Sequence, residues 1–275
     1  MNNLDIIIIG CGPAGMTAAI YATKPNKQVA IIEKNAPGGK MLTTNHIENY
    51  PGKKLIDGVS LSMEMFEHMS TLPIKYIPEN VIDIHVENDI KTVITNKNQY
   101  QAKVVIIATG IREKRIGIKG EEEYYSKGVS YCATCDASLF KDKYVAVIGN
   151  TEHAKEEAKY LEAYAKEVTL IEDYTTVEEI MGDGNKVVAL KLKDQTLQVD
   201  GVFPFIGNEP GSMFTKRLNI VDDKGYIITN EQMETSVPGI FAIGDVKQKE
   251  LRQIVTACSD GAIAGINALK YLSRK

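Results

Sequence analysis

Leu4-Asp5-Ile6-Ile7-Ile8-Ile9-Gly10-Cys11-Gly12-Pro13-Ala14-Gly15 is the stretch whose reading decides the fold. Leu4 to Ile9 is a short isoleucine-rich run of the kind that fills a parallel strand buried on both faces. Glycines follow at positions 10, 12 and 15, and Met16 to Ala22 reads as a helix. In this strand–turn–helix setting each glycine has a mechanical role. Gly10 permits the tight turn, Gly12 lets backbone approach a pyrophosphate, and Gly15 lets helix and strand pack closely. The helix N-terminus adds free N–H groups and the positive end of a dipole. A second strand, Val29 to Ile32, ends in Glu33, about 20 residues past the turn, where an acid can accept from a ribose diol. The pattern predicts a dinucleotide site.

Working outward, Pro37-Gly38-Gly39-Lys40-Met41 through Glu48-Asn49-Tyr50-Pro51-Gly52 is a Gly/Pro-punctuated loop, too polar for core. Val104 to Ala108 forms another buried strand, closed by Thr109-Gly110. Gly239 to Ile243 is a strand running into Gly244-Asp245, and Arg252-Gln253 opens a long apolar helix from Ile254 to Leu272. The 275 residues suffice for one large domain or two of ordinary size. A hydrophobic fraction of 44% and a charged fraction of 25% are those of a globular protein. A net charge of −4 argues against bulk nucleic-acid binding. No apolar run reaches the roughly 18 residues of a membrane span. Met1 to Asp5 has no basic n-region and Ile6 to Ile9 is too short for a signal-peptide core. The expected location is cytoplasmic.

The four cysteines are too few for a secreted disulfide scaffold. Cys11 and Cys258 stand alone among small apolar residues and read as buried small hydrophobes. Cys132-Ala133-Thr134-Cys135-Asp136 holds the one close pair. Such a pair can close into a disulfide or supply half of a zinc site. With no second Cys-x-x-Cys and four histidines (His46, His68, His85, His153), a zinc site lacks ligands, and redox chemistry is the better reading.

Together these residues resemble the low-molecular-weight thioredoxin reductases, two-domain FAD enzymes of the pyridine nucleotide disulfide oxidoreductase class. The resemblance covers nearly the whole chain. It rests on Gly10–Gly15, Glu33, the Gly38-Gly39 loop, Glu48-Asn49-Tyr50-Pro51-Gly52, Ala108-Thr109-Gly110, Cys132–Asp136, Phe241-Ala242-Ile243-Gly244-Asp245 and Arg252-Gln253. It implies an α/β fold of two Rossmann-like, three-layer domains, the second inserted into the first and shortened. Residues 1–111 and 242–275 would form the FAD domain and residues 112–241 the redox-disulfide domain. Hinges are expected at Ile111 to Arg115 and near Val237-Pro238-Gly239.

The resemblance also implies a set of FAD-binding residues: Gly10, Gly12, Pro13, Ala14, Gly15, Glu33, Lys34, Gly39, Lys40, Met41, Asn49, Ile82, Ala108, Thr109, Gly110, Gly244, Asp245, Arg252, Gln253 and Ile254. Asp245 would meet the ribityl–phosphate region, and Asn49 with Arg252-Gln253-Ile254 the isoalloxazine. Lys40 stands where the family usually has glutamine. Cys135 would face the flavin, and Asp136 would protonate the leaving thiolate, a role for a carboxyl of raised pKa. Cys132 would attack the disulfide of thioredoxin and Cys135 would resolve the mixed disulfide. Asp136 also suits a helix N-cap. A homodimer is implied as well.

The middle of the chain departs from the family pattern. Lys143 to Gly149 repeats the first strand and Ala154 to Tyr164 the helix, but Gly149-Asn150-Thr151-Glu152-His153-Ala154 puts Thr151 at the second glycine position. A side chain there blocks a pyrophosphate. Glu152, taken as partly buried, would add repulsion on the order of 2–4 kcal/mol, or one to three decades of affinity. The strand Glu167 to Ile171 ends in Glu172-Asp173, where NADPH-using relatives carry His-Arg-Arg. Met181-Gly182-Asp183-Gly184 then turns straight into the strand Lys186 to Leu192, with no room for the usual helix and strand. Glu172 alone speaks the other way, since an acid there suits the ribose of NADH. The balance favours loss of the nicotinamide site and similarity to the ferredoxin-dependent flavin thioredoxin reductases. An acidic ferredoxin then calls for a basic patch: Arg112, Lys114, Arg115 and Lys119, or Lys24, Lys27, Lys34, Lys40, Lys53 and Lys54.

Overall fold

The computed structural model of the chain describes residues 3–24, 26–44 and 46–274. Met1 and Lys275, the outer limits of the expected FAD domain, lie outside them. The chain divides into two compact units, Met1–Arg112 with Pro210–Lys275, and Glu113–Glu209. The first unit begins with β1 (Asn3–Ile9), α1 (Pro13–Ala22), β2 (Val29–Ile32), α2 (Gly58–Ser70), β3 (Ile74–Ile77), β4 (Val81–Glu87), β5 (Ile90–Thr95) and β6 (Gln99–Ile107). β7 (Ile111–Glu113) leads out of it. The second unit holds α3 (Ala133–Asp136), β8 (Tyr144–Ile148), α4 (Glu152–Leu161), β9 (Glu167–Ile171), β10 (Val177–Gly182), β11 (Val187–Leu192), β12 (Thr196–Gln198) and β13 (Gly201–Pro204). β14 (Asn208–Pro210) leads back to β15 (Ile240–Ala242) and α5 (Ile254–Ser273).

The first unit is built on a sheet of order β3-β2-β1-β6-β5-β4, with β15 also on β6. β1 runs parallel to both neighbours, Ile6 lying opposite Val29 and Val104. β6 is long enough to serve two partners along one edge. β5 takes its first half antiparallel, with Lys91 opposite Ala102, and β15 takes Val105–Ile107 parallel. Because side chains alternate along a strand, β1 feeds two cores. Ile6 and Ile8 join Met16, Ala18 and Ala264 of the helices, whereas Ile7 and Ile9 join Ile84, Val93, Ile220, Ile227 and Val246. An unbroken isoleucine run is what a strand buried on both faces requires.

α1 starts at Pro13, three residues before the expected Met16, because proline suits the first helical position and Gly12 is the N-cap. α5 packs against α1 through small residues. A Cβ on Gly261 would stand 2.4 Å from the Ala14 carbonyl oxygen.

The second unit pairs a short parallel sheet of order β13-β8-β9 with an antiparallel one, β10-β11-β12. β8 and α4 repeat the design of β1 and α1. Between β9 and β10 there is only the 3-10 turn Tyr174–Thr176, so the helix and third parallel strand of the first unit have no counterpart.

The second boundary differs from the expected one. The chain returns to the first unit at Pro210 rather than at residue 242. The cause is apolar: Phe214, Leu218, Ile220, Val221 and Ile227 pack into the core that holds Ile7 and Ile9. Val237-Pro238-Gly239, expected as a hinge, falls away from this boundary. It lies within the first unit, where Gly239 O accepts the Val105 N–H at 2.9 Å.

Candidate functional site

In the first unit the glycine turn is crossed by backbone at van der Waals distance. Gly10 has φ +106°, and a Cβ there would stand 2.4 Å from the Ala108 carbonyl oxygen. A Cβ on Gly15 would stand 1.9 Å from the Gly10 oxygen. These two positions accept no side chain. Gly12 caps α1 without a side-chain hydrogen bond, and the first turn holds no acid. Its leading N–H groups are thus left for an anion. The Gly38 N–H donates to Cys11 O at 2.8 Å, which brings the one-turn helix Gly39–Thr43 over the turn. There Met41 is buried, while Gly39 and Lys40 are exposed.

Glu33 is fixed at the end of β2 by two backbone donors. Its Oε2 accepts from Cys11 N at 2.8 Å and its Oε1 from Asn35 N at 2.9 Å. Lys34 beside it is exposed. Burial, and secondarily Glu33, pushes the Cys11 thiol up to about 12, so Cys11 is an inert core residue. Cys258, expected to be buried, is only half-buried. It sits among the polar side chains of Thr17 and Tyr50, and burial raises its thiol against their hydrogen bonds.

Four more segments converge on the same end of α1. Ala108 donates its N–H to Ile9 O at 2.7 Å, Thr109 Oγ1 donates to Gly211 O at 2.7 Å, and Gly110 follows with positive φ. A Cβ on Gly244 would stand 3.0 Å from the Ala14 Cβ. Asp245, next in the chain, has a buried Oδ1 with no hydrogen-bond partner. Burial raises its carboxyl above the ordinary range, while the charges of Lys249, Arg252 and Lys40 pull it back. Arg252 Nε donates to Asp245 O at 3.5 Å and stacks 4.4 Å from the Tyr226 ring. Gln253 caps α5 in a capping box with Thr256, and Ile254 opens the helix. Gln253 Oε1 accepts from Asn49 Nδ2 at 3.0 Å. Ile82 stands apart from this group. It is 52% exposed on β4, at the far end of the sheet from β2.

Asp260, which the sequence reading passed over, holds the Gly244-Asp245 turn. Its Oδ2 accepts the Gly244 N–H at 3.0 Å and the Lys249 ammonium at 2.7 Å, with Lys247 at 4.0 Å from Oδ1. The available signal was an acid inside the apolar stretch Ile254 to Leu272. These features fit FAD: the helix N-terminus at Gly12 is uncapped, Glu33 is fixed at the end of β2, and the buried Asp245 Oδ1 has no partner.

At the matching turn of the second unit a side chain takes one of the leading N–H groups of the helix. Thr151 caps α4, its Oγ1 accepting the Ala154 N–H at 3.1 Å. Lys155 pairs with Glu152 at 3.2 Å and lies 3.8 Å from Glu172. Asp173 caps the 3-10 turn, accepting from Thr175 N at 3.0 Å. One expectation needs correction: the Glu152 side chain is 86% exposed, so its repulsion toward a phosphate is screened to about 1 kcal/mol or less. Thr151 is the greater obstacle.

Cys132 and Cys135 form a disulfide with Cα atoms 5.3 Å apart. Cys132 is half-buried and Cys135 exposed. Cys132 is the N-cap of α3, and its Sγ accepts the Cys135 N–H at 3.2 Å, with the Thr134 hydroxyl at 3.4 Å. Asp136 ends α3, donating its N–H to Cys132 O at 3.2 Å. Its carboxylate makes no cap bond to the turn Ala137–Phe140, so the N-cap reading fails at the side chain. No helix among the described residues is long and apolar enough to cross a membrane.

The sequence matches the family described as pyridine nucleotide-disulphide oxidoreductase over residues 4–177 and 174–261. It is 41% identical to a thioredoxin reductase of Listeria monocytogenes over 298 residues, covering 98% of this chain and 93% of the relative. The structure is similar to that of Lactococcus lactis thioredoxin reductase, with a TM-score of 0.84, 37% identity and coverage of 99% and 100%. It is also similar to a ferredoxin-flavin thioredoxin reductase from Clostridium acetobutylicum, with a TM-score of 0.62, 33% identity and coverage of 99% of both chains. The chain belongs to the pyridine nucleotide-disulphide oxidoreductase family, in its low-molecular-weight thioredoxin reductase class, whose members bind FAD.

Proposed function

We propose that this protein reduces thioredoxin through Cys132 and Cys135, with reduced ferredoxin rather than NADPH as the electron donor. The observation that carries the choice of donor is the contrast between two like turns. α1 offers uncapped N–H groups beneath Gly12, whereas the Ala154 N–H of α4 is already taken by Thr151. The fold is shared with a ferredoxin-flavin thioredoxin reductase, while the TM-score and identity are higher for Lactococcus lactis thioredoxin reductase, so the choice of donor rests on the turn.

FAD would be held by the first turn of α1, by Glu33 and by Asp245. When bound, it supplies uptake of single electrons from an iron–sulfur protein and delivery of a pair to a disulfide. The protein's own groups then do the thiol chemistry. As the Cys132–Cys135 bond opens, Asp136 gives a proton to the leaving Cys132 sulfur and then takes it back, so that Cys132 meets thioredoxin as a thiolate. The Cys132 thiolate attacks one sulfur of the thioredoxin disulfide, forming a mixed disulfide and releasing the other sulfur as thiolate. Cys135 then attacks Cys132 Sγ, which restores the internal disulfide and frees the second thioredoxin thiol.

A docking patch for an acidic ferredoxin would draw on exposed Lys24, Lys34 and Lys54, which carry no ion pair among the described residues. Lys27, Lys53 and Lys119 are already paired with Asp5, Glu64 and Glu179. A homodimer and a cytoplasmic location complete this reading. The second reading, an NADH- or NADPH-dependent reductase, is supported by Glu172 at the end of β9, which lies 3.8 Å from Lys155, and by the similarity to the thioredoxin reductases of Listeria monocytogenes and Lactococcus lactis.

Calorimetric titration of the oxidised holoprotein with NADH and NADPH tests the nucleotide half of the proposal. No heat of binding at micromolar nucleotide is the expected result. A micromolar dissociation constant for either nucleotide contradicts it.

A further inference from the structure

Glu121 is a carboxylate only 3% exposed, a placement that is costly unless donors surround it. They do. Ile116 N–H donates to Oε1 at 3.0 Å, Gly117 N–H to Oε2 at 2.7 Å, and the Tyr131 hydroxyl to Oε1. Arg115 Nη1 in turn donates to the Tyr131 oxygen at 3.0 Å. Its guanidinium stacks 4.5 Å from the Tyr131 ring centre and 4.9 Å from that of Tyr125. Glu122 lies 3.7 Å from Arg115. Burial, and then the bond to Glu121, pushes the Tyr131 phenol far above its ordinary range, so it remains a donor across the working pH.

This cluster ties residues 115–117 to residue 131, and the next residue is Cys132. The same segment is fixed from its other side. Ser130 donates its N–H to Val202 O on β13 at 3.0 Å, and Ser130 Oγ accepts the Cys132 N–H at 3.1 Å. Cys132 is anchored by its neighbours, while Cys135 rides exposed on a one-turn helix.

We propose that Tyr131 is a positioning residue for the disulfide. Held between Glu121 and Arg115, its phenol fixes the Cys132 backbone so that the sulfur keeps the Cys135 amide and the Thr134 hydroxyl as donors when the bond opens. Two electrons and one proton convert the disulfide to a Cys135 thiol and a Cys132 thiolate, and those two donors stabilise the thiolate. The inference rests on the redox role of the cysteine pair and is independent of the electron donor.

The test uses holoprotein reduced by dithiothreitol, which is oxidised to its cyclic disulfide. Iodoacetamide alkylation of the Cys132 peptide is followed by mass spectrometry across a pH series. Tyr131→Phe keeps the ring against Arg115 and removes the hydroxyl. The expected result is a half-point moved up by about half to one pH unit, so that alkylation at neutral pH slows roughly 3- to 10-fold. Thr134→Val, which removes a donor at the sulfur itself, should shift it in the same direction. If Tyr131→Phe lowers the melting temperature but leaves the Cys132 profile at its wild-type position, the phenol is structural only and the proposal is wrong. An unshifted profile in Thr134→Val also overturns it. If the wild-type protein fails to reduce thioredoxin while the Tyr131→Phe shift persists, the functional reading falls and the positioning role stands.

Discussion

At the scale of single residues, Cys132 and Cys135 are set apart by their surroundings. Cys132 receives the hydrogen bonds and Cys135 the exposure, and the proposal makes Cys132 the sulfur that attacks thioredoxin. Cys132→Ser should abolish thioredoxin reduction and leave flavin reduction by the donor intact, as read by stopped-flow absorbance. Continued turnover of thioredoxin by Cys132→Ser reverses the assignment. Asp245 gives a second test, of pH dependence. Its folded carboxyl titrates above the unfolded value because burial disfavours the charge. The stability tied to it is therefore fully present below the ordinary carboxylate range and is lost as pH rises through the raised folded pKa. Asp245→Asn apoprotein should melt at a higher temperature than wild-type apoprotein at neutral pH. The gap should close as pH falls into that acid range. A gap that is constant with pH removes the buried charge as its cause.

At the scale of elements, β1–α1 and β8–α4 are one design used twice, with opposite treatment of the helix start. Gly12 leaves the N-terminus of α1 open, and Thr151 closes that of α4. A closing side chain contributes to the stability of its helix. Thr151→Ala should cost about 1 kcal/mol and Thr151→Gly only a few tenths, measured by urea unfolding. Equal and negligible costs for both would mean that the Thr151 hydroxyl does not cap α4. The strand and helix positions were legible in the sequence because a buried parallel strand writes itself as an apolar run and a glycine turn marks the helix that follows. The charge of Glu152 was legible too, but its 86% exposure was not. Exposure depends on which way a helix face points, and that is a tertiary property.

At the scale of the whole molecule, the two-unit α/β organisation could be read from the sequence, since both glycine-type turns and the cysteine pair are local patterns. The return point at Pro210 could not. Ile220 and Ile227 belong to the first unit only because they complete the core under Ile7 and Ile9, and no short-range signal records that pairing. The same limit hid Asp260, whose role depends on Gly244 and Lys249 folding back onto α5. The Cys132–Cys135 pair was legible; residues such as Asp260 that hold a turn in place were not. The Thr151 cap at the turn of the second unit is the feature on which the proposed ferredoxin donor rests. The direct measurement is anaerobic mixing of the oxidised flavoprotein with reduced ferredoxin, NADH or NADPH, following loss of the visible flavin absorbance. Rapid bleaching by reduced ferredoxin, with neither nucleotide effective at micromolar levels, is the predicted result. Rapid bleaching by micromolar NADPH or NADH contradicts it.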